Sequence, residues 1–168
     1  AGGFTHWVGE SFGGGVVFHV YKDALGEEHG LIISAVDLSN FALWGSFNDV
    51  PNCESSWNGL SNTAAILAAA GSITTSAAQL CNDHIEGGYS DWYMPAKNEL
   101  EVCYYNLKPT TTSNNTSYGT NTNAVPSRGS NYTAGTPAQT SAAAFVTSTG
   151  AEAFTATAYW SSTEDSAP

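Results

Sequence analysis

Between Gly87 and Leu107 the chain reads GGYSDWYMPAKNELEVCYYNL, a loop that turns into a helix and restricts what the rest can fold into. Gly87-Gly88 supplies backbone freedom for a turn. Tyr89, Trp92 and Tyr93 supply bulky anchors, and Pro95 presets a φ angle suited to a first helical turn. Leu100, Cys103, Tyr104 and Leu107 recur at helical spacing on one face, while Lys97, Asn98, Glu101 and Asn106 point largely elsewhere. A helix over Pro95–Leu107, stopped by Lys108-Pro109, is therefore predicted, lying as a slab against a sheet.

The sheet itself is expected nearer the N-terminus. Gly13-Gly14-Gly15 leads into VVFHVY, then a polar turn and LIISAVD, which reads as a β-hairpin over Val16–Val36 with both faces partly covered. The glycines do not form a phosphate loop, because no Lys-Ser/Thr follows and the next element is a strand. Residues 39–59 are irregular and pinned by Trp44, Phe47 and Trp57. Asn62 is read as the cap of an Ala-rich helix ended by Gly71, and Ser76 with Gln79 as a capping box for a second helix, AAQLCNDHI. Thr110–Gly135 is a long Thr/Ser/Asn/Gly loop. Thr136-Pro137-Ala138-Gln139 then reads as a helix start running to Phe145 or Val146, and Tyr159–Ser162 as a strand of the same mainly antiparallel sheet. Trp92 and Trp160 are expected in the core, with their indole N–H groups bonded to backbone.

A chain of 168 residues is the right size for one well-buried domain, 1–168. The net charge of −11 repels a phosphate backbone and argues against nucleic-acid binding. There is no apolar run of membrane-spanning length and no signal-peptide pattern, so no membrane insertion is expected. The chain begins with Ala1, which suits a processed product or a piece of a longer protein. Cys53, Cys81 and Cys103 cannot all pair within one chain and match no zinc spacing; Cys81 and Cys103 read as small buried hydrophobes, unpaired as in a protein assembled in a reducing cytoplasm.

Four segments, GGGVVFHV, HGLIISAVD, DWYMPAKNEL and YWSSTE, come in an order that resembles the C-terminal domain family of the Legionella collagen-like adhesin, found also in phage tail-fibre and bacterial surface proteins. The resemblance spans Gly13 to Glu164. It implies an α+β, C-type-lectin-like fold of the formylglycine-generating-enzyme branch, with a mainly antiparallel sheet, flanking helices and long loops. It also implies residence in a virion tail fibre or at a cell surface, and partners that include other fibre subunits in a homo-oligomer, a trimer. Two departures stand out. Ala96 replaces the family's usual serine, leaving Glu99 without its hydroxyl partner, for an expected loss of about 1 kcal/mol of helix stability. Relatives also continue beyond YWSSTE through further strands, which this chain is expected to lack.

No GxSxG, HExxH or CxxC occurs, and His6, His19, His29 and His84 stand in unrelated contexts, so no enzyme is expected. The cysteines used by the enzyme that names the fold branch have no matching pair here. No cofactor is expected. Calcium comes into question because many C-type lectins use it, but the sugar-binding signatures EPN, QPD and WND are missing; Asp37, Asp49, Glu54, Asp91 and Glu164 qualify only as acidic residues. The sequons NNTS and NYT would matter only in a eukaryotic secretory pathway. The function expected is a non-enzymatic receptor-binding or adhesion module that recognises a bacterial surface glycan or protein, the alternative being a structural fibre component that holds an oligomer together. The candidate ligand-binding residues are Trp44, Tyr118, Tyr132, Glu164, Asp165 and Ser166. The tyrosines would supply apolar contact from the long loop, and the last three would form a rim after YWSSTE.

Overall fold

The computed structural model describes residues 3–112, 133–146, 153–155 and 157–165, and its elements are three strands, three α-helices and a 3-10 turn. In order these are β1 (Ser11–Phe12), β2 (Gly15–Lys22), β3 (Glu28–Ser34), α1 (Gly59–Ala68), α2 (Ala77–Asp83), α3 (Lys97–Asn106) and the 3-10 turn Ala143–Phe145. The class is α+β, with an antiparallel sheet in the order β1-β2-β3. The chain divides into two compact units, residues 1–36 with 101–156, and residues 37–100 with 157–168. No helix among the described residues is long and apolar enough to cross a membrane.

The first unit holds the sheet. Gly13 and Gly14 take φ of 59° and 87°, which lets β1 fold tightly back onto β2. Val16, Val17, Phe18 and His19 are all buried, so the start of β2 is covered on both faces, more fully than the partial cover expected from sequence. The β2–β3 register skips Phe18, and that residue's carbonyl is taken instead by Asn106 Nδ2, at the end of α3, at 2.7 Å. His19 is buried with Nδ1 lacking a hydrogen-bond partner among the described residues, and this burial lowers its pKa. Its ring stacks on Tyr21, which stacks in turn on His29. The Phe154 ring packs against both Phe145 and Tyr104.

The helix expected from Thr136 is not formed. Thr136-Pro137 is a cis peptide, and among the described residues of that stretch the single 3-10 turn is the only helical element. The carbonyls of Thr133, Ala134 and Pro137 are instead turned onto the ammonium of Lys108, and Thr140 N–H donates to the Lys108 carbonyl. Lys108, read from sequence as a helix stop, is fully buried and acts as the internal cation around which the 133–140 loop is wrapped. Taking it out of water lowers its pKa.

In the second unit, Val50, Cys53, Ile66, Ala78 and Met94 form the core, with Trp44 packed against it. The cap of α1 is Asn58, whose side chain accepts from Ser61 N at 2.9 Å; Asn62 lies inside the helix, buried, and ties down Ser55 through both its amide atoms. Ser76 does cap α2, accepting from Gln79 N, while the Gln79 side chain turns to Asp83. Gly87 and Gly88 make the expected turn, closing a bridge between Glu86 and Tyr89.

Residues 159–162 form no strand. Ser162 N–H donates to Pro95 O at 2.8 Å, and Lys97 N–H donates to Thr163 Oγ1 at 2.9 Å. YWSSTE therefore meets the start of α3, through single bonds to an irregular neighbour in place of a ladder. Neighbouring bonds bear on the reading of Ala96. Of the amides that a serine hydroxyl in place of Ala96 would serve, that of Asn98 already donates to Ser56 O, and the preceding amide, Lys97 N, donates to Thr163 Oγ1. Glu99 still makes its half of the box, since Oε2 accepts from Ala96 N at 2.7 Å. The same oxygen accepts from Gly59 N at 3.0 Å, at the first turn of α1, and Oε1 accepts from Tyr93 OH at 3.1 Å. One buried carboxylate thus joins the heads of two helices.

All three cysteines are free, Cys53 and Cys103 buried and Cys81 half-buried. Burial raises the thiol pKa of each, to about 12 for Cys53 and about 11 for Cys81. Native protein is accordingly expected to resist thiol reagents at neutral pH, with Cys81 labelled first and all three labelled after unfolding; mass analysis of timed labelling checks this, and rapid native labelling of Cys103 would contradict it.

Candidate functional site

The second unit carries an apolar tip in which two indole groups each bond to the stretch of chain that carries the other. Trp44 Nε1 donates to Ser161 O at 2.7 Å, and Trp160 Nε1 donates to Ala42 O at 3.0 Å. The 42–44 stretch and the 160–161 stretch are thereby locked side by side. Trp44 turns its ring toward the core, whereas Trp160 is 56% exposed, against the expectation that it would be interior. Trp92 is likewise only half-buried, with Nε1 unpartnered among the described residues and its ring edge-on to His84.

The stretch just before Trp44 leaves its large apolar side chains exposed. Phe41 is 95% exposed and Leu43 51% exposed. The backbone that carries them is not loose. Leu43 O accepts from Ala77 N and Trp44 O from Ala78 N, so the loop satisfies the first amides of α2, and Gly45 O accepts from Ile73 N. Gly45 sits directly on Ile66, whose Cγ2 occupies the space a Cβ would need. The Ser39 hydroxyl accepts from Phe41 N at 3.1 Å. Burying hydrophobes as exposed as Phe41 and Leu43 against a partner would cost little ordering entropy, because their backbone is already fixed.

Of the residues singled out from sequence, Trp44 and Glu164 both anchor this side of the unit. Glu164 Oε2 accepts from Val50 N at 2.9 Å and from the Cys53 thiol at 3.2 Å, while Glu164 N–H donates to Cys53 O at 3.0 Å. Its carboxylate pins the last described segment, and Asp165 beside it is exposed. Tyr118, Tyr132 and Ser166 lie outside the described residues. Sequence reasoning does not single out Phe41, Leu43 or the outward face of Trp160. The available signal is the alternation of Phe41 and Leu43 in a Ser/Asn-rich loop, too short to tell an exposed tip from a buried turn.

The acidic residues considered for calcium, Asp37, Asp49, Glu54 and Asp91, are exposed, with Glu164 half-buried. The ligand atoms that do converge among the described residues belong to Asp23, Glu27 and His29, within 4.8 Å of one another at the β2–β3 turn. Turn formation accounts for Asp23: its Oδ1 accepts from Leu25 N and Glu27 N, each at 2.9 Å, and Oδ2 meets His29 Nε2 at 3.3 Å. The Glu27 amide is the main cause of its lowered pKa. The pairs His6–Glu10, His29–Asp23 and His84–Glu86 each form within a short local stretch, as turn contacts do.

No protein-family model matches the sequence, and comparison with curated proteins and with solved structures likewise gives no match.

Proposed function

We propose that this chain is a non-enzymatic recognition module, of C-type-lectin-like fold, carried on a phage tail fibre or a bacterial surface fibre and directed at a bacterial surface glycan or protein. The observation that carries the proposal is the clasped tip: Phe41, Leu43 and Trp160 are each exposed, on backbone held by helix-end amides and two indole bonds, with the Trp160 indole bonded to Ala42, between the other two. Aromatic side chains exposed on pre-ordered backbone are of the kind that contribute most of the energy at recognition surfaces. The sequence resemblance supports the same reading, because its segments are structural partners. GGGVVFHV and HGLIISAVD form the β2–β3 pair, and DWYMPAKNEL and YWSSTE bond to each other.

Fluorescently labelled protein added to a panel of bacterial strains with differing surface glycans is expected to bind some strains saturably and not others. Periodate treatment of the cells would abolish binding to a glycan, and protease treatment binding to a protein. Failure to bind any strain, alone or in its assembled fibre, would contradict the proposal.

A further inference from the structure

A second place on the molecule has the chemistry of a ligand site, in the first unit and apart from the residues of the tip. A solvent-open cleft of about 470 Å³ lies between the end of α3, at Tyr105 and Asn106, and the 135–141 loop. That volume is within the range of small-molecule sites. Its lining contains no charged residue among those described, although the chain carries 15 acidic side chains. In their place stand the hydroxyls of Thr136, Thr140 and Ser141, the amides of Asn106 and Gln139, and the ring of Tyr105.

The lining is held in position from behind. Lys108 gathers the carbonyls of Thr133, Ala134 and Pro137 onto its buried ammonium, and its own carbonyl accepts from Thr140 N at 2.9 Å. The amide nitrogen of Gln139 donates to Pro109 O at 2.7 Å, and that of Asn106 to Phe18 O at 2.7 Å, which fixes both amide planes. An irregular loop anchored this way can present hydrogen-bonding groups without being ordered by the ligand.

We infer that this cleft binds an uncharged saccharide unit. Among its described residues the lining offers no cationic side chain to pair with a phosphate, sulfate or carboxylate and no carboxylate to pair with an ammonium, so a charged ligand would gain no charge-assisted side-chain bond there. Hydroxyls and amides suit the alternating donors and acceptors of a sugar ring, and the Tyr105 ring suits its apolar C–H face. The inference stands on the cleft alone and does not require the tip.

The test is a titration of isotope-labelled full chain, followed by amide NMR, with glucose, galactose and N-acetylglucosamine, and with glucuronate and glucosamine as charged counterparts. Saturable shifts confined to residues 105–106 and 135–141 are expected with at least one neutral sugar, in the millimolar range usual for a single ring in an open cleft. Ala138→Trp, at an exposed position in the lining, should weaken that binding at least about tenfold by filling the cleft, with the thermal midpoint unchanged. Absence of saturable shifts with all three neutral sugars would overturn the inference. So would equal or tighter binding of the charged counterparts, or Ala138→Trp binding like the parent. Sugar binding at the cleft together with tip variants that still bind cells would separate this site from the proposed function.

Discussion

Replacing Glu99 by alanine is expected to destabilise the second unit by about 3–5 kcal/mol, because it strands two buried amides that lose their common acceptor. Glu99→Gln is expected to cost far less. The glutamine oxygen can take the amides of Gly59 and Ala96, and its nitrogen can donate to Tyr93 OH, so the knot between the helix heads persists. The two variants also differ in pH dependence. Burial is the main influence on Glu99 and raises its pKa from 4.5, with the bonds from Ala96, Tyr93 and Gly59 opposing it. A carboxyl with a folded pKa above its unfolded one adds stability that is present below the unfolded value and lost as pH rises through the folded value. Denaturant titrations should therefore show Glu99→Gln gaining on the parent as pH rises from 4.5. A mild Glu99→Ala variant would mean that the carboxylate is not holding the helices together.

The second large effect is expected at Gly59. On helix propensity alone, Gly59→Ala in α1 should stabilise by up to about 1 kcal/mol. The structure reverses the sign. A Cβ there would lie 2.6 Å from Ala96 N and 2.7 Å from Met94 O, and would also press on the Glu99 carboxylate. Two of these obstacles are backbone, so neither can swing aside, and a cost of about 3 kcal/mol is expected, at the upper end of overpacking effects. Equilibrium unfolding distinguishes the two outcomes by sign. A stabilised Gly59→Ala would show that α1 and the head of α3 are further apart than described.

The elements that could be read from sequence are those defined by nearest neighbours. The β2–β3 hairpin follows from an apolar run ended by a polar turn, α2 from Ser76 and Gln79, and the body of α3 from its apolar spacing. What could not be read depends on partners distant in the chain. Thr136-Pro137-Ala138-Gln139 has the local chemistry of a helix start, yet its backbone is committed to Lys108, nearly thirty positions earlier by sequence number. At Ala96 the sequence shows only a missing hydroxyl, because the acceptor that takes the Asn98 amide, Ser56 O, lies in a distant loop. Trp160 sits in a motif that reads as interior, but its indole bond to Ala42 leaves the ring facing outward. Of the candidate site, Trp44 and Glu164 are identified by residue type, while their observed bonds are those of anchors.

The proposed role of the tip is tested most directly by Phe41→Ala combined with Leu43→Ala, measured for binding to responsive bacterial cells alongside thermal unfolding. Both side chains are exposed and the loop's helix-end bonds use backbone atoms, so the thermal midpoint is expected to stay where it is. Cell binding is expected to fall at least about tenfold, as truncation of aromatic anchors does at recognition surfaces. Binding equal to that of the parent, with the fold intact, would contradict the account.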